Sequence, residues 1–501
     1  SKGMFGVYVS PENGNDSNGG YFDAPVATIE KAVAIASAEE EKPIIYLCDE
    51  LYRLNKIVEI KYKNNLAFKA YSGVTPEITK SVRIPADAFT AATPEEAAAF
   101  SARIPENTLL CADLTDYIGT VGTRSRGDFI VYDDGIRAKN ARWPNSGWEN
   151  SVDVTGSAEY EKIGISAEKA ALWGSGAANG FIEIYAKTMY STNFGKITSV
   201  EPGRYNGKDI SVATLNIKST SYIQNGAFYT ENIPAELDTA YEWYIDTDTN
   251  KLYYYPGENF SGIDITLPKQ KSTVTTPGIN SIGDAGIVVY DSRNISFEGI
   301  SFRCINGDGI SIVKSQNVDI SDGKICGTGN SAVSMQASAE CDIDNIIIYD
   351  TYGSGVDINN RVWNIPTGYD RTLKHENNII SNCDISNVGV GNGMSSGINM
   401  YGCGNTVRNS IIHDINHQAI YMTGPEHTFE NNDVHGACVK DADAGMIYIA
   451  GVNAQGTVVR NNAIHDQPAQ AWYFAMYLDN AASGVTIENN YIHDISVDSE
   501  N

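Results

Sequence analysis

NISFEGISFRC, residues 294–304, is the stretch that decides the fold, because the chain keeps returning to its pattern. An apolar–polar strand, a small-residue turn and a second short strand recur as NVDISDGKICG (317–327), DNIIIYDTYG (344–353), NCDISNVG (382–389), NSIIHDINH (409–417), NNDVHGA (431–437), NNAIHDQP (461–468) and NNYIHDIS (489–496). Aligned, they put Arg303, Cys326, Tyr349, Ser386, His413, His435, His465 and His493 in one column, at steps of 23, 23, 37, 27, 22, 30 and 28 residues. Repeats of this length, rich in β-branched residues, Asn and Gly, mark a solenoid.

Each unit holds period-2 runs of three to five residues, too short for helices, and a propeller blade would need about 40 residues and four strands. A coil of about 22 residues with three short strands fits an all-β right-handed parallel β-helix, its coils about 4.8 Å apart. Identical positions then stack along the axis. Asn378, Asn382, Asn409, Asn431, Asn432, Asn461, Asn462, Asn489 and Asn490 read as one amide ladder between coils.

Three regions follow. Residues 1–79 read as an N-terminal cap and first coil, with a helix presenting Ile29, Ala32, Val33 and Ala36 and capped by Thr28. Residues 80–280 lose the repeat and read as an inserted β-rich module, with EWYIDTDTNKLYYYPGE (242–258) as a hairpin. Residues 281–501 form the main right-handed parallel β-helix, whose long interruption at 361–376 is expected on the rim of a groove.

A net charge of −26 argues against nucleic acid and anionic membranes as partners, and weakly against polyanionic sugars. No apolar run reaches transmembrane length. The eight cysteines form no C-x-x-C pair; Cys304, Cys326, Cys341, Cys383, Cys403 and Cys438 read as small apolar fillers. The expectation is a secreted or cell-surface bacterial protein with no metal in its chemistry. NGNDSNGG (13–20) leaves structural calcium open. The chain opens on Ser-Lys-Gly-Met and stops straight after a coil, which reads as a trimmed segment, with a helper domain or chaperone outside it left open.

YVSPENGNDSN (8–18), ARWPN (141–145), EWYIDTDTNKLYYYP (242–256), GYDRTL (368–373), DAGMIY (443–448) and MYLDN (476–480) resemble motifs of parallel β-helix glycoside hydrolases. The resemblance is nearest to the lacto-N-biosidases of glycoside hydrolase family 136, which carry two catalytic aspartates seven residues apart. DTYGSGVD (350–357) keeps that spacing with Asp350 and Asp357. The resemblance implies a retaining hydrolase that releases a Gal-GlcNAc disaccharide from the non-reducing ends of milk or mucin oligosaccharides.

The residues bear on the chemistry independently. Glycoside cleavage uses one protonated and one ionised carboxyl, about 5–5.5 Å apart in retaining enzymes. The outward position of each coil's first strand gives the column Ser311, Ser334, Asp357, Asn399, Tyr421, Tyr448 and Tyr477: an acid, an amide and an aromatic stripe, a surface suited to a sugar. Asp357 is therefore the expected nucleophile and Asp350 the acid/base. Asp350 also shares a column with Asp414, Asp466 and Asp494, where a turn-capping role is common. Asn399, Tyr421, Asp443, Tyr448, Trp472, Tyr477 and Asp479 are expected to bind substrate.

Asp443 and Asp479 form a rival catalytic pair for a relative acting on xylan or fucosylated pectin side chains. A straight strand would hold them some 15–20 Å apart, and Asn480 stands where many relatives have a second Asp. A polysaccharide lyase would need a base, for which Arg371 and Lys374 are the reserve, and a non-catalytic adhesin stays open. The histidine column reads as a structural stack. His417, His427 and Trp363 are weaker candidates for the cleft.

Overall fold

The computed structural model describes residues 6–152, 161–186, 189, 191–217, 226–275, 282–360, 375–439, 443–451, 453–467 and 473–496. They form two compact units, Ser1–Ser81 with Thr266–Asn501, and Val82–Ile265.

The first unit is a right-handed parallel β-helix. One of its faces is a nine-stranded parallel sheet made of Val58–Lys61, Ala285–Tyr290, Asp308–Val313, Val333–Gln336, Val356–Asn359, Ile398–Tyr401, Ile420–Thr423, Ala444–Ala450 and Tyr473–Asp479. Each strand alternates, so Val356 and Ile358, Ile398 and Met400, and Ile420 and Met422 point inward and stack in register. These six side chains are fully buried. Burying each stabilises by about 1.5–3 kcal/mol, and the repeat multiplies that contribution coil by coil. The opposing wall adds Ile295, Phe297, Ile320, Ile343, Ile385 and Ile412 to the same core.

Residues at the N-terminal end belong to this unit as coils. Gly6–Val9, Ile44–Leu47 and Asn64–Ala70 pair in parallel, and Asn64–Ala70 continues onto Arg293–Glu298. The helix Ile29–Ala38 buries Ile29, Ala32, Val33 and Ala36, and the Thr28 side chain accepts the Lys31 amide. Packed on Gly6–Val9 and Ile44–Leu47, it covers apolar surface that a first coil would expose to water. Asp16, in the NGNDSNGG loop, accepts the amides of Ala27 and Thr28 at 2.9 and 3.0 Å and the Thr28 hydroxyl at 2.8 Å, so its carboxylate anchors the helix entry.

The asparagines expected to form one ladder occupy three environments. Asn382, Asn409, Asn431, Asn461 and Asn489 sit at left-handed corners, with φ between 53° and 56°. Asn tolerates that conformation better than other side chains. Asn432, Asn462 and Asn490 form a separate ladder in which each side-chain oxygen accepts the amide of the coil before: Ser410 to Asn432 at 3.0 Å, Asn432 to Asn462 at 2.9 Å, Asn462 to Asn490 at 3.0 Å. Asn378 belongs to a third column with Asn405 and His427. An Asn-Asn pair thus supplies one corner and one cap, which a count of asparagines cannot separate.

The histidine column stacks as expected. Successive rings from His413 to His493 lie 4.9, 5.0 and 4.7 Å apart and within 15° of parallel. All eight cysteines are free.

In the second unit, mainly antiparallel, Glu242–Asp246 and Lys251–Tyr255 form the expected hairpin, paired from Glu242–Tyr255 to Asp246–Lys251. Asn250 takes the left-handed turn position with φ 57°.

Candidate active site

Parallel register carries one outward position through the whole nine-stranded sheet: Glu59, Val288, Ser311, Ser334, Asp357, Asn399, Tyr421, Tyr448, Tyr477. The expected column is therefore real, and it extends two coils further. Its added acid is consumed structurally. Burial pushes the Glu59 carboxyl up, but hydrogen bonds from Lys61, Thr273 and Ser272 bring it down to about 2. Ser311 and Ser334 are buried, while Asp357, Asn399, Tyr421 and Tyr477 are half-buried. The Asn399 amide donates to the Ser354 hydroxyl at 2.9 Å.

A second acid meets Asp357, and sequence reasoning missed it. Asp308 opens its strand, two coils before Asp357. Its Oδ1 accepts Asn330 Nδ2 at 2.7 Å and the Ser331 amide at 3.1 Å, and its Oδ2 lies 2.6 Å from the Ser334 hydroxyl. Ser334 also lies 2.9 Å from the Ser311 hydroxyl, and its register partner in the next coil is Asp357. Burial pushes the Asp308 carboxyl up to about 7, and the charge of Asp357 adds to the rise against the hydrogen bonds from Ser334 and Asn330. A buried acid of raised proton affinity within the field of a half-buried acid is an arrangement from which acid and base roles are made.

Asp350 lies elsewhere in the coil. With φ 55° it takes the left-handed corner in a column with Gly327, Asn387, Asp414, Gly436 and Asp466. Its amide donates to Asn387 and its carbonyl accepts from Gly327, linking three coils. It is buried, and its charge falls on Cys326 and Tyr349.

At the far end of the face lies an aromatic belt. Tyr401, Tyr421, Tyr448 and Tyr477 follow one another at 5.2, 5.4 and 5.2 Å, and Phe474 packs 4.5 Å from Tyr477. Tyr401 and Phe474 were not singled out from the sequence, although Tyr401 shares the face of Asn399 by its spacing of two. The Tyr448 hydroxyl donates to Asp479, and the Tyr477 hydroxyl donates to Asp443 at 3.0 Å. The Asp443 hydrogen bond raises the Tyr477 hydroxyl most, then burial, then the charges of Asp443 and Asp479. The charge of Asp479 also reaches Tyr477, but the strand register pairs Asp479 with Ala450 and leaves Asp443 beyond Ala444, at the opposite end of the strand, as the straight-strand estimate has it. Asn480 donates to Asp479 from its amide at 2.6 Å and its side chain at 3.0 Å.

His427 is buried in the third column. Its Nδ1 accepts the Asn405 amide at 3.2 Å and its Nε2 faces the Thr423 carbonyl at 3.2 Å, while burial lowers its pKa to about 4. That imidazole is neutral and structural. Trp472, Trp363, Arg371 and Lys374 lie outside the described residues, as does the GYDRTL motif.

Comparisons with known proteins agree with this architecture. The family model for the right-handed β-helix region matches residues 396–501. A solved glycoside hydrolase superposes with TM-score 0.71 at 16% identity, over 97% of this chain and 96% of its own. XylC, solved with xylose, gives 0.50 at 15% identity over 97% of this chain and 70% of its own. A family 136 lacto-N-biosidase from Eubacterium ramulus gives 0.37 at 8% identity, over 98% of this chain and 68% of its own. No curated protein matches this chain. At such identities the first two structures establish the fold alone.

Proposed function

We propose that this chain is a retaining glycoside hydrolase whose substrate lies along the outward face from Asp357 to Tyr477. The carrying observation is the position of Asp357: a half-buried carboxylate mid-strand, beside Asn399 and the tyrosine belt, whose charge reaches a second carboxyl, Asp308. Aromatic faces take the C–H side of a sugar ring, and amides and carboxylates take its hydroxyls.

In this reading Asp357 attacks the anomeric carbon as the bond to the leaving oxygen breaks, forming a glycosyl ester. Asp350 is the acid that the family spacing implies. Asp308 is the one better supported by its environment: its Oδ1 accepts two donors and its Oδ2 accepts the Ser334 hydroxyl, a bond that reverses when Oδ2 takes up the proton that burial favours. That proton passes to Ser334 Oγ while the Ser334 hydroxyl proton passes to the departing oxygen, leaving Asp308 ionised. Water then attacks the anomeric carbon, its proton returns through Ser334 to Asp308, and Asp357 leaves as carboxylate.

Asp350 and Asp357 keep the spacing of the lacto-N-biosidases, which makes a Gal-GlcNAc disaccharide at the non-reducing end of milk or mucin glycans the first substrate to test. A second reading, with Asp443 and Asp479 as the acids of an enzyme acting on xylan or pectin side chains, has one observation behind it: each accepts a hydroxyl of the tyrosine belt, Asp443 from Tyr477 and Asp479 from Tyr448. Hydrolysis of the p-nitrophenyl lacto-N-bioside, xyloside and fucoside by wild type, Asp357→Asn and Asp443→Asn separates them. Activity on the lacto-N-bioside, lost at 357 and only weakened at 443, supports the first reading. Activity on another glycoside, lost at 443, replaces it with the second.

A further inference from the structure

Away from the outward face, three side chains of different chemistry converge at one corner of the β-helix. His375 Nε2, Cys403 Sγ and a Glu426 carboxylate oxygen all lie within 4.8 Å of one another, and His375 Nε2 is 2.5 Å from Glu426 Oε2. Cys403 is fully buried and forms the floor; the side chains of His375 and Glu426, 52% and 49% exposed, form the rim.

Backbone pairing holds the three in place. Ile398–Tyr401 and Ile420–Thr423 are register neighbours, so Cys403 and Glu426 leave consecutive coils at adjoining corners. The Gly404 amide donates to the Pro425 carbonyl at 3.1 Å, and the Glu376 amide, next to His375, donates to the Cys403 carbonyl at 2.9 Å. The Glu376 carboxylate accepts the Cys403 amide at 3.2 Å, bringing a second negative charge beneath the corner. Gly404, at φ 71°, leaves room for the ring, because a Cβ there would lie 2.7 Å from His375 Nδ1.

We propose that His375, Cys403 and Glu426 bind a zinc-class divalent cation, with water completing the coordination. An imidazole nitrogen, a thiolate and a carboxylate oxygen form a donor set that suits Zn2+, whereas Ca2+ and Mg2+ take oxygen donors. Binding displaces the thiol proton of Cys403 and replaces the direct His375–Glu426 contact with two metal bonds. The cation ties the residue that enters one coil to the corners of the next two. This site is independent of the glycosidase reading.

Cobalt(II) titrated into the full chain tests the proposal, because thiolate ligation gives a charge-transfer band in the near ultraviolet. The band is expected in wild type and absent in Cys403→Ser. No band, or a band that survives Cys403→Ser, overturns the site. His375→Ala and Glu426→Gln change exposed side chains and serve if Cys403→Ser fails to fold. Each is expected to weaken Zn2+ binding by at least tenfold, roughly the loss of even a supporting contact around a metal. Zn2+ is expected to raise the Tm of wild type but not of His375→Ala, since a ligand stabilises only the state that binds it. Equal affinity in wild type and both exposed-residue variants overturns the assignment.

Discussion

The charge of Asp357 reaches Asp308, two coils away on the same face, with the Ser334 hydroxyl between them. Burial and that charge together hold a proton on Asp308 at a pH where an ordinary aspartate has lost it. Asp308→Asn is expected to lower kcat/KM by about 10²–10⁴-fold, the usual loss of a general acid. The basic limb of the wild-type pH–rate profile falls near the Asp308 value of about 7 and is absent from Asp308→Asn. Asp350→Asn is expected to keep it; loss of that limb in Asp350→Asn alone would move the acid to the corner.

The same shift has a consequence for stability. The folded chain holds a proton on Asp308 that the unfolded chain releases at lower pH, so between about pH 4 and 7 the folded state binds more protons and stability falls as pH rises. A Tm-against-pH curve is expected to be flatter over that window in Asp308→Asn than in wild type.

The tyrosines that hold Asp479 and Asp443 lie along the proposed substrate path. Hydrogen bonds to charged groups contribute about 1.5–3 kcal/mol, so losing one hydroxyl that positions its acid costs about 10- to 100-fold. Tyr448→Phe and Tyr477→Phe are expected to raise KM with little change in kcat. A selective fall in kcat would point to these groups as the catalytic pair.

Lys80 and Asp284 form a buried ion pair in the first unit, with side-chain exposures of 0% and 2%. Breaking such a pair leaves an uncompensated buried charge and costs about 3–5 kcal/mol. Lys80→Met is expected to lose that much by denaturant unfolding, while the double variant with Asp284→Leu recovers most of it.

The histidine stack predicts a pH trend of the same sign as Asp308, in a higher window. Burial lowers the His465 pKa, but Asp466 and Asp433 more than reverse this and leave it raised. Its contribution is full below the unfolded value of about 6.5 and is lost as pH rises through the higher folded value. His465→Gln is expected to remove part of the fall in Tm across that interval.

Much of this was legible because a solenoid turns sequence period into spatial neighbourhood. The steps between Arg303 and His465 and the outward column from Ser311 to Tyr477 could be aligned by eye, and parallel register reproduced them. Corners obscured the rest. Asp308 sits at a strand entry where period-2 counting does not say which way a side chain turns, so its link to Ser334 left no mark in the sequence. Asp350 stood out by its spacing from Asp357, yet its φ of 55° puts it among corner residues whose shared feature is backbone conformation.

Azide rescue of Asp357→Gly, on the aryl glycoside that wild type cleaves best, tests Asp357 as the nucleophile most directly. Restored turnover and a glycosyl azide of inverted anomeric configuration are expected, because azide takes the place vacated by the nucleophile. No rescue at 357, with rescue to the inverted product in Asp443→Gly or Asp479→Gly, would contradict that role and move the chemistry to the tyrosine end of the face.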